Sequence, residues 1–263
     1  MALNSHIMLV PHHPALLVDS RNNHESEVQE VLREKGAAYR AEGVEVVVMV
    51  SGGWNQQGPF LVDNGSRLSS LQEFAGLEVD LRYSCSGWRE LADALQSNAL
   101  ANGVPVEVVH RGMDHAASVP LSYMFPHGDR RVVLLSVSPR SVDDYRTWGM
   151  VVRETCRGAG AECAIIVGGS LTWDAEAMSQ GKDIQAGADL DRRLLTHLEA
   201  AEWDGFMGMD DASLERGSAY AGLLHLRFLE GVLQTPQVGH VLAYQRHPGV
   251  GSAVVEFELS PQE

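Results

Sequence analysis

The sequence predicts an α/β fold, a single domain with a mostly parallel central mixed sheet flanked by helices. Three observations predict it. Runs of β-branched residues alternate along the chain with segments of helical period. One run, Val44–Val50 (VEVVVMV), is apolar almost throughout, as expected of a strand buried on both faces of a parallel sheet. No internal repeat, low-complexity tract or Pro/Gly linker divides the 263 residues, so 1–263 reads as one domain.

In order, His6–Val10 reads as a buried strand ending at the His12-His13 loop. Glu25–Glu42 has helical spacing, with Val28, Val31 and Leu32 on one face. The Val44–Val50 strand runs into Ser51-Gly52-Gly53-Trp54. Gln56–Gly76 is the least regular stretch and reads as a long surface loop of the kind that covers a site. Leu77–Tyr83 alternates like a strand, and Ser86–Ala101 reads as a helix with Ser86 as its N-cap. Val104–Val109 is a strand leading into the Asp114-His115 loop. Val132–Val137 is a strand, Ser141–Arg157 a helix, and Cys163–Val167 a strand ending in Gly168-Gly169-Ser170. Ala186–Ala200 and Ala212–Leu233 read as helices, and strand-like WDGFMGM leads into Asp210-Asp211, which reads as the cap of the final helix. Val241–Gln245 and Ala253–Leu259 close the chain as strands. His12, Gly53, His115 and Trp173 each lie just past a predicted strand, where sites form in open α/β sheets.

Hydrophobic residues make up 44% and charged residues 21%, an ordinary globular balance with enough apolar residues for a sizeable core. The net charge of -15 disfavours nucleic acid and anionic membrane as partners. The cysteines, Cys85, Cys156 and Cys163, are odd in number and form no C-x-x-C, which fits a reducing compartment without a disulfide framework. Met1–Val10 lacks a basic region, and no apolar run approaches the roughly 20 residues that cross a bilayer. A cytoplasmic protein is expected. There is no G-x-x-x-x-G-K-[ST], no G-x-S-x-G and no H-E-x-x-H.

Three segments carry chemistry. Pro11-His12-His13-Pro14-Ala15-Leu16 follows the first strand. Met113-Asp114-His115 is followed by Val119-Pro120-Leu121 and Met124-Phe125. Gly168-Gly169-Ser170-Leu171-Thr172 runs into Trp173, and Gly249–Val254 makes a fourth, weaker match. Together and in this order they resemble the class III extradiol ring-cleavage dioxygenases, the family of the protocatechuate 4,5-dioxygenase beta chain. The resemblance covers essentially the whole chain.

That resemblance implies a non-haem Fe(II) held by two histidines and a carboxylate, with an open face for substrate and O₂. His12 would be the first ligand. The second falls on Gly53, and the carboxylate, counted back from Glu230-Gly231-Val232-Leu233, falls near Gly222, with no acid between Glu215 and Glu230. The acid/base histidine falls on Trp173, which has no proton to exchange near neutral pH. His12, Gly53, Trp54, His115 and Trp173 are thus expected to line the substrate pocket, with His115 and His13 as the candidate catalytic groups. His12, His225 and Asp174 form a conceivable substitute ligand set. His12 and His13 are adjacent, so their side chains point apart and are poorly placed to share one metal.

Packing explains several of these residues equally. Trp173 and Trp54 would fill an emptied cavity, His12 would be a core histidine, and His115 would hold a loop through Asp114. His110, His127, His197, His240 and His247 read as surface or structural.

Three functions follow from these readings. The first is a degenerate family member resembling the alpha subunit of 2-aminophenol 1,6-dioxygenase. Such a chain would hold no cofactor itself, with Fe(II) in a homologous catalytic partner subunit. The second is an enzyme with O₂-independent acid/base chemistry on a small aromatic ligand through His12 and His115. The third is a scaffold or binding protein, as a homo-oligomer or otherwise, since fold alone implies no activity.

Overall fold

The fold grows outward from one buried parallel core. The computed structural model describes residues 6–22, 25–74 and 79–258. β1 (Ile7–Val10) leads through the His12-His13 corner into α1 (Ala15–Arg21) and α2 (Glu27–Ala41). β2 (Val46–Asn55), β3 (Phe60–Asp63), β4 (Arg67–Phe74) and β5 (Val79–Gly87) precede α3 (Arg89–Ala101) and β6 (Val106–Val109). Then come α4 (His115–Met124), β7 (Arg131–Val137), α5 (Val142–Arg157), β8 (Cys163–Gly168) and the short β9 (Thr172–Trp173). α6 (Ala175–Ser179), α7 (Gln185–Glu199), α8 (Trp203–Met207) and α9 (Asp211–Arg216) lead to a 3-10 turn at Tyr220–Leu223. α10 (Leu224–Leu233), β10 (Gly239–His247) and β11 (Val250–Phe257) complete the order.

Among the described residues these strands make one 11-stranded mixed sheet, β10-β11-β1-β8-β2-β7-β3-β6, with β4, β5 and β9 off the path. The run β1-β8-β2-β7 is parallel, and antiparallel pairs flank it. From Val46 to Gly52, β2 is buried at every residue, and β8 is buried throughout, because helices cover both faces. One layer holds Tyr145, Trp148 and Val152 of α5 with Phe228, Leu229 and Val232 of α10. The other holds Leu32 and Tyr39 of α2 with Leu121 and Met124 of α4. At the α5–α10 crossing Gly149 and Gly231 face backbone, and a Cβ on either would collide with the opposite helix.

The expected α/β class and most elements stand. Several local expectations do not. The stretch expected as a loop over Gln56–Gly76 forms β3 and β4 as far as Phe74, and 75–76 lie outside the described residues. Polar residues in β4 hid it: Leu68 and Ser70 face in, while Arg67, Ser69 and Leu71 face solvent. Ser86 is not a cap but belongs to β5, and the helix starts after Trp88.

Asp114-His115 is not a loop, because it opens α4 with Asp114 as N-cap. WDGFMGM is helical over Trp203–Met207, not strand-like. The helix expected over Ala212–Leu233 breaks into α9, the Tyr220–Leu223 turn and α10, so Asp210 caps only α9. Leu77 and Leu259, at the ends of two expected strands, lie outside the described residues. No described helix is long and apolar enough to cross a membrane.

Candidate functional site

The site lies where β1, β2 and β8 end, outside their carboxyl edge. Gly169 donates its N–H to the Val10 carbonyl (3.0 Å), which holds the chain after β8 against the chain after β1. His12 emerges at that junction and is fully buried.

Three rings surround the His12 imidazole. Trp173 is stacked on it, centroids 5.4 Å apart at 13°. Tyr220 stands at 4.8 Å and His115 at 5.1 Å, both tilted. Tyr220 also meets Trp173 (5.9 Å) and, edge-on, His225 of α10 (5.6 Å). Neither ring nitrogen of His12 has a hydrogen-bond partner in the structure, and His225 has only the Ser170 backbone group beside it. Burial pushes the His12 pKa well below its usual value, and His115, His13 and His225 add to the effect. Burial likewise takes His225 down to about 3 against an opposing Ser170 backbone group.

His115 is held by its neighbour. Asp114 accepts from the Ser51 hydroxyl (2.7 and 2.9 Å), from Arg111 (2.9 Å) and from the Ala117 N–H (3.2 Å). This fixes the N-terminus of α4 and so the first residue of that helix. Burial lowers the His115 pKa, Asp114 opposes that, and Arg111 adds to it. His115 is therefore a neutral, half-buried imidazole near pH 7. Gly53 sits on an exposed stretch of β2 directly beside it, and a Cβ there would meet the Ala116 Cβ at 3.1 Å and both His115 Cε1 and Tyr220 Oη at 3.6 Å.

His13 turns the other way. Its Nδ1 accepts from the Ala15 N–H (3.2 Å), so its neutral form carries the proton on Nε2, which faces Met178 Sδ at 3.3 Å. It stacks on His247 (5.1 Å) and meets Trp173 edge-on (5.2 Å). Burial, with His247 and His115, lowers its pKa to about 3.

Residues 6–256 match a protein-family model, that of the catalytic LigB subunit of aromatic ring-opening dioxygenase. The chain belongs to the LigB family. Its fold is also that of a solved structure, an uncharacterized protein, JW3007, from Escherichia coli K12. The two superpose with a TM-score of 0.71 at 15% sequence identity, covering 95% of this chain and 98% of the other. No curated protein matches the chain significantly.

Within this LigB-family fold, His12, Gly53, His115 and Trp173 converge on one site, as their sequence positions suggested. Trp54 is placed apart from those rings: its buried indole lies under the Arg111 guanidinium, 4.9 Å from the ring centroid. Asp174 is engaged elsewhere, capping α6 through the Ala177 N–H (2.8 Å) and accepting from Ser218 (3.0 Å). Gly222 lies in the turn before α10 with φ +58, and a Cβ there would point into open space.

Sequence reasoning passed over Tyr220 and read His247 only as surface or structural. Tyr220 lay inside an expected helix with no motif around it. His247 had no signal beyond its type, yet it stacks on His13 and stands 3.6 Å from Asp19. Among the described residues no group of three His, Cys, Asp or Glu side chains is placed to share a metal ion.

Proposed function

We propose that this LigB-family chain does not bind the family's iron by itself and serves as the non-catalytic subunit of a heteromeric aromatic ring-cleavage dioxygenase. The observation that carries the reading is the stacking of Trp173 on His12. Trp173 and Tyr220 both pack against the His12 ring, which supports that reading.

The donor set supports the same reading. A facial Fe(II) site takes two imidazoles and a carboxylate. His12 and His225 are buried imidazoles, but position 53 has no side chain, Asp114 is saturated, Asp174 caps a helix, and among the described residues no three donors are placed to share an ion. These residues do not fit that ion. What the chain contributes instead is a rigid homologous fold. Its natural partner is a homologous subunit that keeps all the ligands, with a catechol or aminophenol as the substrate class.

The test is an anaerobic Fe(II) titration of the purified chain, followed by O₂ uptake with catechols and aminophenols. The chain alone is expected to bind no stoichiometric iron and cleave no ring. Mixing it with a ligand-complete homologous chain should raise that chain's activity. Tight stoichiometric iron with ring cleavage by this chain alone would refute the proposal. Turnover of an aromatic without O₂ uptake, lost in His115→Gln, would point instead to acid/base chemistry.

A further inference from the structure

The segment before α10 is strained. Ser218 (φ 53), Ala221 (φ 47), Gly222 (φ 58) and Leu223 (φ 60) are all left-handed, and three of the four carry a Cβ. Residues 221–223 make a continuous left-handed turn, with ψ of 31, 27 and 21. L-residues visit this region singly and at a cost, not in runs. Such a turn persists only where its surroundings hold it, and here two groups do. Leu223 is buried in the core, and the Tyr220 ring is wedged among His12, Trp173 and His225.

Tyr220 covers the site. Its ring lies over the Gly52–Gly53 backbone, so close that a Cβ on Gly52 would meet Tyr220 Cε1 at 2.9 Å. Beneath it both ring nitrogens of His12 are buried without partners, and His225 has only the Ser170 backbone group beside it. Buried polar groups left unpaired are costly, and water or a ligand relieves that cost only if it can enter. The closed arrangement thus carries two penalties, backbone strain and the unpaired His12 imidazole. A single movement that swings Tyr220 outward would release both.

The segment has fixed ends for such a movement. Before it, Ala219 bridges Thr172 and the Tyr220 N–H donates to the Leu171 carbonyl (3.1 Å). After it, α10 begins at Leu224.

We infer that residues 220–223 form a shutter that opens locally, without global unfolding, and exposes His12 and His225 to small solutes. The inference does not depend on the subunit assignment. It holds whether or not the chain binds iron.

Carbethoxylation by diethyl pyrocarbonate, read residue by residue by mass spectrometry, tests it, because the reagent attacks neutral imidazoles. Hydrogen exchange on the same samples gives the rate set by global unfolding. His12 and His225 are expected to react at least about tenfold faster than global unfolding allows. Ala221→Gly removes a Cβ from a left-handed position and should slow that reaction about threefold by favouring the closed turn. Tyr220→Ala removes the cover and should bring His12 toward the reactivity of exposed His240. The inference is overturned if His12 and His225 react only at the global rate, if Ala221→Gly accelerates them, or if Tyr220→Ala leaves His12 protected.

Discussion

The hydroxyl of Ser51 donates one hydrogen bond shared between both carboxylate oxygens of Asp114 (2.7 and 2.9 Å), across 63 residues of sequence. Through this contact the end of β2 sets the start of α4, and with it the position of His115. Ser51 is buried and Asp114 nearly so, which makes the pair sensitive to substitution. Asp114→Ala removes the helix cap and strands the Ser51 hydroxyl, and should cost about 2 kcal/mol of stability. Urea unfolding measures this, and an unchanged midpoint would mean that the pair carries no load.

Trp173→Ala should open the site. The indole is only partly buried, so the loss is about 2–3 kcal/mol, below that of a fully buried tryptophan. Water reaching His12 should raise its pKa from its depressed position toward the ordinary histidine value. NMR titration of the His12 ring reads this directly. A pKa unmoved by the substitution would show that Trp173 does not shield it.

Gly169 has no room for a side chain, because a Cβ would collide with the His225 ring. His225 is itself fully buried, so the ring cannot swing into solvent. Gly169→Ala is expected to cost about 1–3 kcal/mol as overpacking. In a His225→Ala background the same change should cost much less, and a double-mutant cycle measures the difference. Additive penalties would contradict the steric cause.

Acid should destabilise the protein early. Burial holds His13 and His225 near 3 and His12 well below its usual value, so all three stay neutral in the folded chain. The unfolded chain takes up protons at ordinary histidines as pH falls below about 6.5. Stability from these groups is therefore complete above that pH and is lost progressively from about 6.5 down toward 3. The slope approaches about 1.4 kcal/mol per pH unit for each histidine. Urea midpoints at pH 7.5, 6 and 5 should fall steeply, and His225→Gln should flatten the curve by roughly one histidine's share. A flat profile over that range would contradict the buried neutral state.

The parallel core was legible in the sequence because burial on both faces writes itself as an uninterrupted run, as in Val46–Val50 and Cys163–Val167. The β4–β5 hairpin was not, because Ser69, Ser70 and Gln72 give β4 the composition of a loop. α4 hid behind Pro120, which a helix interior normally rejects. The fold accommodates it: the Ala116 carbonyl, which Pro120 cannot bond, packs against Gly168 so tightly that a Cβ there would collide with it. His12, Gly53, His115 and Trp173 could be placed together from topology alone. Tyr220 could not, because its position depends on left-handed residues, of which only Gly222 left a trace in the sequence.

The pairing of β1 bears on how the chain is made. Ile7–Leu9 pair with Val255–Phe257 on one side and with Ile165–Val167 on the other. Contacts so distant along the chain form late, after long loops have closed. During synthesis the first strand must therefore wait, one edge bare, until β11 has left the ribosome. A prematurely terminated chain would leave this apolar strand as an open edge for aggregation.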